Sequence, residues 1–372
     1  MVVMNFSNKL SNINKKNLYR SRKIIESSKD SIIVIDKKPY VNFCSNDYLS
    51  LSSNQLVSES FQFGVRKYGS GSGASHLVSG HSRSHHELEE TLADYTGQEK
   101  SLLFSSGYTA NIGIFSALKD DVDWVLQDKL NHASLIDANH LIGLPLQRYI
   151  HNNIESLERK ISKQSGQGLI ATDNVFSMDG DTANIIAIDK LAKSNNALMM
   201  QDDAHGFGII EPNIPSNSIY MATLGKSAGV MGAFVAGSED FIEYLIQKSR
   251  PYIYTTAISP AMCMAIMKSI ELIKVGEQKV KLLSNINFFR NLSKELNLPV
   301  SKSISAIQPI IIGSNEKTIN ISNKLFNKGF YVSPIRPPTV PNNTARLRIT
   351  ICAEHSKNEI EQLLITLKNV IQ

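Results

Sequence analysis

GLIATDNVFSMDGDTANIIAIDKLAKSNNALMMQDD, residues 168–203, decides the fold. Its two ends, GLIATD and ALMMQDD, are apolar without the alternation of a strand that faces water on one side. A strand built this way is covered on both faces, as in a parallel sheet between helical layers. Between them, IAIDKLAKSN has helical spacing and supplies the crossover that parallel neighbours need. Both strands end on carboxylates, Asp173 and Asp202. In open α/β sheets the ligand crevice lies at such C-terminal strand ends.

The same alternation extends upstream. SHHELEETLADYTG predicts a helix, with Ser84 and Glu87 spaced as a capping box and Gly97 at its end. The strand KSLLFSS and the helix GYTANIGIFSALK follow. Then come strand DWVLQD, helix SLIDANHLIG, strand LQRYI and helix NIESLERKIS. Downstream, GAFVAG predicts a further strand, and residues 260–295 one long helix or two. From about residue 305, strands and helices suggest a smaller α+β domain. The first 30 residues are polar and basic and predict a peripheral helix, and 31–45 two short strands. The expected organisation is an N-terminal segment (1–45), a large domain with a mostly parallel sheet (46–265) and a small C-terminal domain (266–372).

Composition is that of a globular protein, with 42% hydrophobic and 20% charged residues. The net charge of +5 is spread without a basic block, which argues against nucleic acid and permits acidic small substrates. The three cysteines, Cys44, Cys263 and Cys352, are far apart and lack CxxC spacing. They predict neither disulfides nor zinc, and a reducing compartment. No signal-peptide pattern opens the chain, and no run approaches the ~18 apolar residues of a membrane span. The expectation is a cytoplasmic protein with no membrane partner.

Two glycine or histidine motifs point nowhere. GSGSG (69–73) lacks the strand–turn–helix context of a dinucleotide fingerprint, because FGVRKY before it reads as a weak strand. It reads as a flexible glycine loop. HHELEE (85–90) lacks the second histidine of HExxH, since residue 90 is Glu90. His85 and His86 are expected at the solvated start of a helix.

TLGKSAG (223–229) carries chemistry. A nucleotide P-loop needs glycine where Tyr220 stands, so phosphate binding by Lys226 fails on spacing. The small flanking residues predict an enclosed loop, and an enclosed amine forms imines with carbonyls. Pyridoxal phosphate is the usual carbonyl partner. It needs an anion at its ring nitrogen, which Asp202 can supply. It needs phosphate donors, available where SSGY (105–108, including Ser106) opens a helix. Ser177 and Thr223 can add hydroxyls, and His132 can stack on the ring. Each has an ordinary alternative as a cap or turn residue. Together they place a polar group after each of several strands.

Further stretches carry a resemblance: NFCSNDYLSLS, GSGASHLVSGHSRSHHELEE, LFSSGYTAN, LNHASL, VFSMDGD, DDAHGFG, TLGKSAG, SAIQPIIIG and IRPPTVPNNTARLRIT. In this order, from about residue 10 to the C-terminus, they resemble the α-oxoamine synthase family. The resemblance implies the aspartate-aminotransferase fold (fold type I), pyridoxal 5'-phosphate, and a homodimer with active sites at the interface. It implies that Lys226 binds the cofactor's aldehyde, Asp202 faces its ring nitrogen and His132 stacks on it and touches substrate. Gly107, Tyr108, Ser177, His205 and Thr223 match further cofactor contacts. Arg20 (in the N-terminal helix), Thr339 and Arg348 match substrate contacts, Arg348 gripping the amino-acid carboxylate. Arg336 and Arg346 are expected in structural ion pairs.

AIQP and IRPPTVPNNTARLR look like the members that condense L-alanine with a pimeloyl thioester, carried on coenzyme A or acyl carrier protein. Members that take glycine or serine share the lysine, aspartate and histidine. Silent subunits of the family lack the lysine, and a pyridoxal-domain transcription factor would need a DNA-binding extension. Two departures stand out: TDNVFS where relatives show TEGVFS, and SAG after the lysine where they often show GFG or ALG. Asp173 is one methylene shorter than the usual glutamate, so a longer or water-mediated hydrogen bond is expected.

Overall fold

The structure is a computed structural model and describes residues 5–371. It divides into two compact units. One takes residues up to Ser50, Met178–Gly180 and Val280 onward; the other takes Leu51–Ser177 and Asp181–Lys279.

In chain order, helix α1 (Phe6–Lys15) precedes strands β1 (Ser27–Lys29), β2 (Ile32–Ile35) and β3 (Lys38–Asn42). Helix α2 (Gln55–Tyr68), a π-helical turn (His76–Gly80) and α3 (Arg83–Thr96) follow. The alternating core begins with β4 (Lys100–Phe104), α4 (Gly107–Ala117), β5 (Trp124–Asp128), α5 (Ala133–Ile142) and β6 (Gln147–Tyr149). It continues through α6 (Ile154–Ile161), β7 (Gly168–Asp173), α7 (Ile185–Ser194), β8 (Ala197–Asp202), β9 (Ile219–Thr223) and β10 (Ala233–Gly237). Helices α8 (Glu239–Lys248), α9 (Arg250–Ile253), α10 (Pro260–Val275) and α11 (Glu277–Glu295) come next. Last are β11 (Ile307–Gly313), α12 (Asn315–Asn327), β12 (Phe330–Tyr331), β13 (Ser333–Ile335), β14 (Ala345–Thr350) and α13 (Lys357–Ile371).

The central sheet has seven strands in the order β4-β10-β9-β8-β7-β5-β6. Strand β10 runs antiparallel to both neighbours; pairings from β9 to β6 are parallel. This is the expected mostly parallel sheet. Every residue of β7 is buried. Leu169 and Ala171 pack with α4, α5 and α8 on one face. Ile170 packs with Leu157 and Ile188 of α6 and α7 on the other. Both faces are therefore apolar, which is why the strand sequences do not alternate. The register aligns Asp173 of β7 with Asp202 of β8, so two carboxylates meet at the C-terminal edge.

In the other unit, β11-β14-β13 and β1-β2-β3-β12 form two small sheets. Helix α1 buries no residue, as expected of a peripheral helix. The 260–295 stretch is two helices, separated at Gly276, whose φ of 84° is the left-handed conformation that glycine adopts freely.

Several expectations are corrected. FGVRKY belongs to α2, not to a strand. Its window is too short to show the helical period set from the Asn54 cap onward. Gly64 lies so close to α10 that a Cβ there would stand 2.6 Å from Ala261 Cα. The capping box of α3 is formed by Ser82 and His85, not Ser84 and Glu87. The Ser82 amide donates to His85 Nδ1 at 3.0 Å. His85 is fully buried rather than solvated, its Nε2 lying 2.8 Å from the Ile258 carbonyl oxygen. Strand β9 escaped sequence reading, because IYMAT is short and follows a long loop. Among the described residues, no helix is long and apolar enough to cross a membrane.

At the end of β6, His151 bridges Asp128 (Nδ1–Oδ1, 2.9 Å) and Asp181 (Nε2–Oδ2, 2.8 Å). Burial alone lowers the imidazole's pKa, but hydrogen bonds to both carboxylates outweigh it and raise it from 6.5 to about 10. The folded state thus holds this proton more tightly than the unfolded chain. The stabilisation is complete below pH 6.5 and is lost as pH rises toward 10. His151→Gln should destabilise the protein by about 1 kcal/mol at pH 6, after discounting for solvent screening. Thermal melts at pH 6 and pH 10 check this: the gap from wild type should shrink at the higher pH, and a constant gap would refute the assignment.

Candidate active site

The C-terminal edge of the sheet opens onto a cavity of about 220 Å³. Lys226, Asp202, His132, Gly107, Tyr108, Ser177, His205 and Thr223, all expected together from the sequence, line it. Several strand ends and helix starts deliver them, some in pairs, such as Gly107 with Tyr108 and Thr223 with Lys226.

Asp202 ends β8. Its Oδ2 accepts from Asn111 Nδ2 at 2.8 Å and its Oδ1 from the Ala204 amide at 3.0 Å. Both oxygens are occupied by neutral donors, which holds the carboxylate in one orientation. Asn111 also donates to Ser134 Oγ at 2.8 Å, tying α4 to α5. Neither Asn111 nor Ser134 was singled out from the sequence. The available signal was an asparagine on the otherwise apolar face of helix 107–117.

His132 caps α5: its Nδ1 accepts from the Ser134 amide at 3.3 Å. That bond assigns the remaining proton of the neutral ring to Nε2. Burial lowers the His132 pKa; Asp202 raises it and Lys226 lowers it further. The neutral imidazole is therefore favoured. The His132 amide donates to Asp173 Oδ2 at 2.9 Å. Burial, then the neighbouring Asp202, pushes the Asp173 pKa well up. Two carboxylates side by side resist sharing full charge. The shorter Asp173 side chain thus reaches the protein backbone directly.

Asn174, the other changed residue of TDNVFS, donates to Asp203 Oδ1 at 2.7 Å, and Tyr220 donates its hydroxyl to Oδ2 at 2.8 Å. Burial pushes the Asp203 pKa up to about 7, against the pull of those two hydrogen bonds. This network lies beneath the DDAHG turn that presents His205. It was invisible in the sequence, because its members come from separate strands and one loop.

Lys226 Nζ lies 2.8 Å from His205 Nε2, within hydrogen-bond distance. At the other side of the cavity α4 begins. Ser106 caps it by accepting from the Thr109 amide at 3.2 Å. The amides of Gly107 and Tyr108 belong to the first turn, where no intrahelical carbonyl is available to them.

The remaining candidates lie in the other unit. Arg20 and Thr339 line one cavity of about 530 Å³ with Arg336, Lys23, Phe326 and Ile335. Arg20 follows α1 rather than lying in it, since the helix ends at Lys15. Arg348 is buried in β14, where Nη1 donates to Asn46 Oδ1 and Thr350 Oγ1, both at 3.0 Å. Arg346 is ion-paired as expected, Nη1 to Asp179 Oδ1 at 2.6 Å. The expectation for Arg336 is corrected: it donates to the carbonyls of Asn17 (2.8 Å) and Tyr19 (3.5 Å) instead. Desolvation, then Arg20, lowers its pKa. No carboxylate of the described residues stands within ion-pair distance of it.

The fold and this cavity define an aminotransferase-type protein: the family described as aminotransferase class I and II matches residues 38–367. The structure superimposes on a serine palmitoyltransferase of S. paucimobilis with a TM-score of 0.91 at 25% identity, covering 98% of this chain and 96% of that one. It also matches the 8-amino-7-oxononanoate synthase of Francisella tularensis, with TM-score 0.77 and 31% identity, over 89% of this chain and 97% of that one. In sequence it is 45% identical to the 8-amino-7-oxononanoate synthase of Pseudomonas syringae pv. syringae, over 94% of this chain and 92% of the relative. To the synthase of Saccharophagus degradans it is 46% identical, over 96% and 94%. The chain belongs to the 8-amino-7-oxononanoate synthase family.

Proposed function

We propose that the protein is an acyltransferase of biotin synthesis. It condenses L-alanine with a pimeloyl thioester, releasing carbon dioxide and free thiol and yielding 8-amino-7-oxononanoate. The observation that carries this is the single cavity holding an amine, a pinned carboxylate, a capping histidine and a helix N-terminus together.

The cofactor is pyridoxal 5'-phosphate, and the residues present fit it. Asp202, with both oxygens oriented, suits a protonated ring nitrogen. The first-turn amides of Gly107 and Tyr108, with the hydroxyls of Ser177 and Thr223, suit a phosphate. The flat His132 suits the ring face. At about 220 Å³ the cavity is below the ~300–1,000 Å³ of drug-sized clefts, as a small cofactor requires. When bound, this group supplies an aldehyde that takes up a primary amine and a ring that accepts electrons from a bond broken beside it.

The protein's own part follows from its residues. Lys226 would hold the cofactor's aldehyde through Nζ. Its freed amine then takes the alanine Cα proton as general base. His205 Nε2 lies 2.8 Å away, and in the tautomer that leaves it unprotonated it accepts a proton from Nζ and keeps the amine basic. Asp202 would keep the cofactor's ring nitrogen protonated. His132 directs Nε2–H into the cavity and orients the substrate. Arg348, steadied by Asn46 and Thr350, binds the amino-acid carboxylate. Arg20 and Thr339 contact the acyl donor, whose chain suits the mixed basic and apolar lining of their cavity. The working form is a cytoplasmic homodimer. Acyl carrier protein is a candidate donor carrier beside coenzyme A.

The test is an assay of purified holoenzyme with pimeloyl-CoA and pimeloyl-carrier protein, each offered with alanine, glycine or serine. Alanine alone should release carbon dioxide and form the nine-carbon product. Equal turnover of glycine would overturn this reading in favour of a ligase of the 2-amino-3-ketobutyrate type.

A further inference from the structure

A second group of chemistry-bearing residues lies in SGHSRSHHELEE, residues 79–90, and the reaction has no use for it. Because α3 starts at Arg83, His86 and Glu89 stand one turn apart on a common helical face. His81 precedes the Ser82 cap and leans toward that face. One ligand atom from each of His81, His86 and Glu89 lies within 4.8 Å of the others. Among the described residues this is the one such triad.

Two details orient these atoms. Glu89 Oε1 accepts from the Leu103 amide at 3.0 Å, which fixes the carboxylate on its helix. Its Oε2 faces His81 Nε2 at 4.0 Å, too far for a hydrogen bond. On the far side of the same imidazole, His81 Nδ1 lies 2.9 Å from His76 Nδ1, and His76 is stacked on Tyr252. In the tautomer in which its Nδ1–H donates to His76, His81 presents a bare lone pair at Nε2. A metal-bound histidine is ordinarily tied in this way through its other nitrogen. The Glu89 side chain is only 13% exposed, and the gap before Oε2 is the size of a bridging ion rather than of a direct contact. Ligands about 2.1 Å from a tetrahedral ion stand about 3.4 Å apart, within small rotations of the observed spacing.

We propose that His81, His86 and Glu89 form a binding site for a divalent transition-metal ion of the zinc type, with the remaining position taken by water. Two imidazoles and one carboxylate select such an ion over magnesium or calcium, which prefer oxygen alone. His86 Nε2 now contacts the exposed Glu90 at 3.4 Å, and the ion would displace that contact. Bound there, it clips the π-helical turn His76–Gly80 to the start of α3.

The test is equilibrium dialysis of chelator-treated holoenzyme against zinc chloride, with bound metal counted by elemental analysis. Wild type should bind one zinc per chain, and H81Q and H86Q should each bind at least tenfold more weakly. Both histidines are exposed, so the variants should fold; their melting curves without zinc check this. Zinc should raise the melting temperature of wild type and leave that of H86Q unmoved. No saturable zinc in wild type, or equal affinity in H86Q, would overturn the proposal.

Discussion

Lys226→Ala protein should be colourless and inactive. The substitution removes the tether for the cofactor and the general base in one step. The base alone accounts for about 10²–10⁴-fold in rate, so a loss of at least ~10⁴-fold is expected. Lys226 is half-buried in a loop closed by backbone hydrogen bonds, such as the Gly229 amide to the Lys226 carbonyl at 2.8 Å. The variant should therefore fold. Borohydride treatment separates the two roles: wild type should retain cofactor covalently on Lys226, and the alanine variant should retain none. Normal turnover in the variant, or a label on a different lysine, would sink the assignment. A variant that is inactive but still tethers cofactor elsewhere would also count against it, since no second amine lines the cavity.

Asp202→Asn keeps shape and removes charge. An asparagine oxygen can still accept from Asn111, whose amide stands 2.8 Å from Oδ2, but its Nδ2 then faces the Ala204 amide, so melting curves must show that the fold holds. The ring nitrogen loses the anion that keeps it protonated. Electrostatic stabilisation of this kind, in a water-poor site, is worth about 10²–10³-fold per group, and turnover should fall by at least that much. Two titrations should move with it. Asp202 raises the pKa of both His132 and Asp173, so both should titrate lower in the variant. Nuclear magnetic resonance of the His132 ring reports the first shift. Turnover within tenfold of wild type, with an unmoved His132, would remove Asp202 from its role.

Much of this site was legible in the sequence, because strand ends in a parallel sheet converge. GLIATD and ALMMQDD read as strands of one parallel sheet, which put Asp202 at the ligand edge; the register then sets Asp173 beside it. The TLGKSAG loop excluded a P-loop by spacing, and its small residues marked an enclosed lysine. Motif order added His205, whose role neither periodicity nor composition could suggest.

Other elements were legible only in part. The helix 55–68 was misread from its last six residues, because a 3.6-residue period needs several turns to appear. The α3 cap was displaced by two positions, because Ser84 with Glu87 satisfies the Ser-x-x-Glu rule, whereas the cap that forms pairs Ser82 with His85. What chooses Ser82 is distant: His85 must reach the Ile258 carbonyl at 2.8 Å.

Local pattern by itself determined which segments are strands and helices of the core, and therefore that acidic and basic groups gather at one sheet edge. It did so because burial on two faces leaves a continuous apolar run that few other environments allow. Only tertiary structure decided which polar side chains hold those groups still. Asn111 on Asp202, Asn174 and Tyr220 on Asp203, and His76 behind His81 are partners from separate segments. A hydrogen bond is specified by distance and angle in space, and chain separation carries no trace of either.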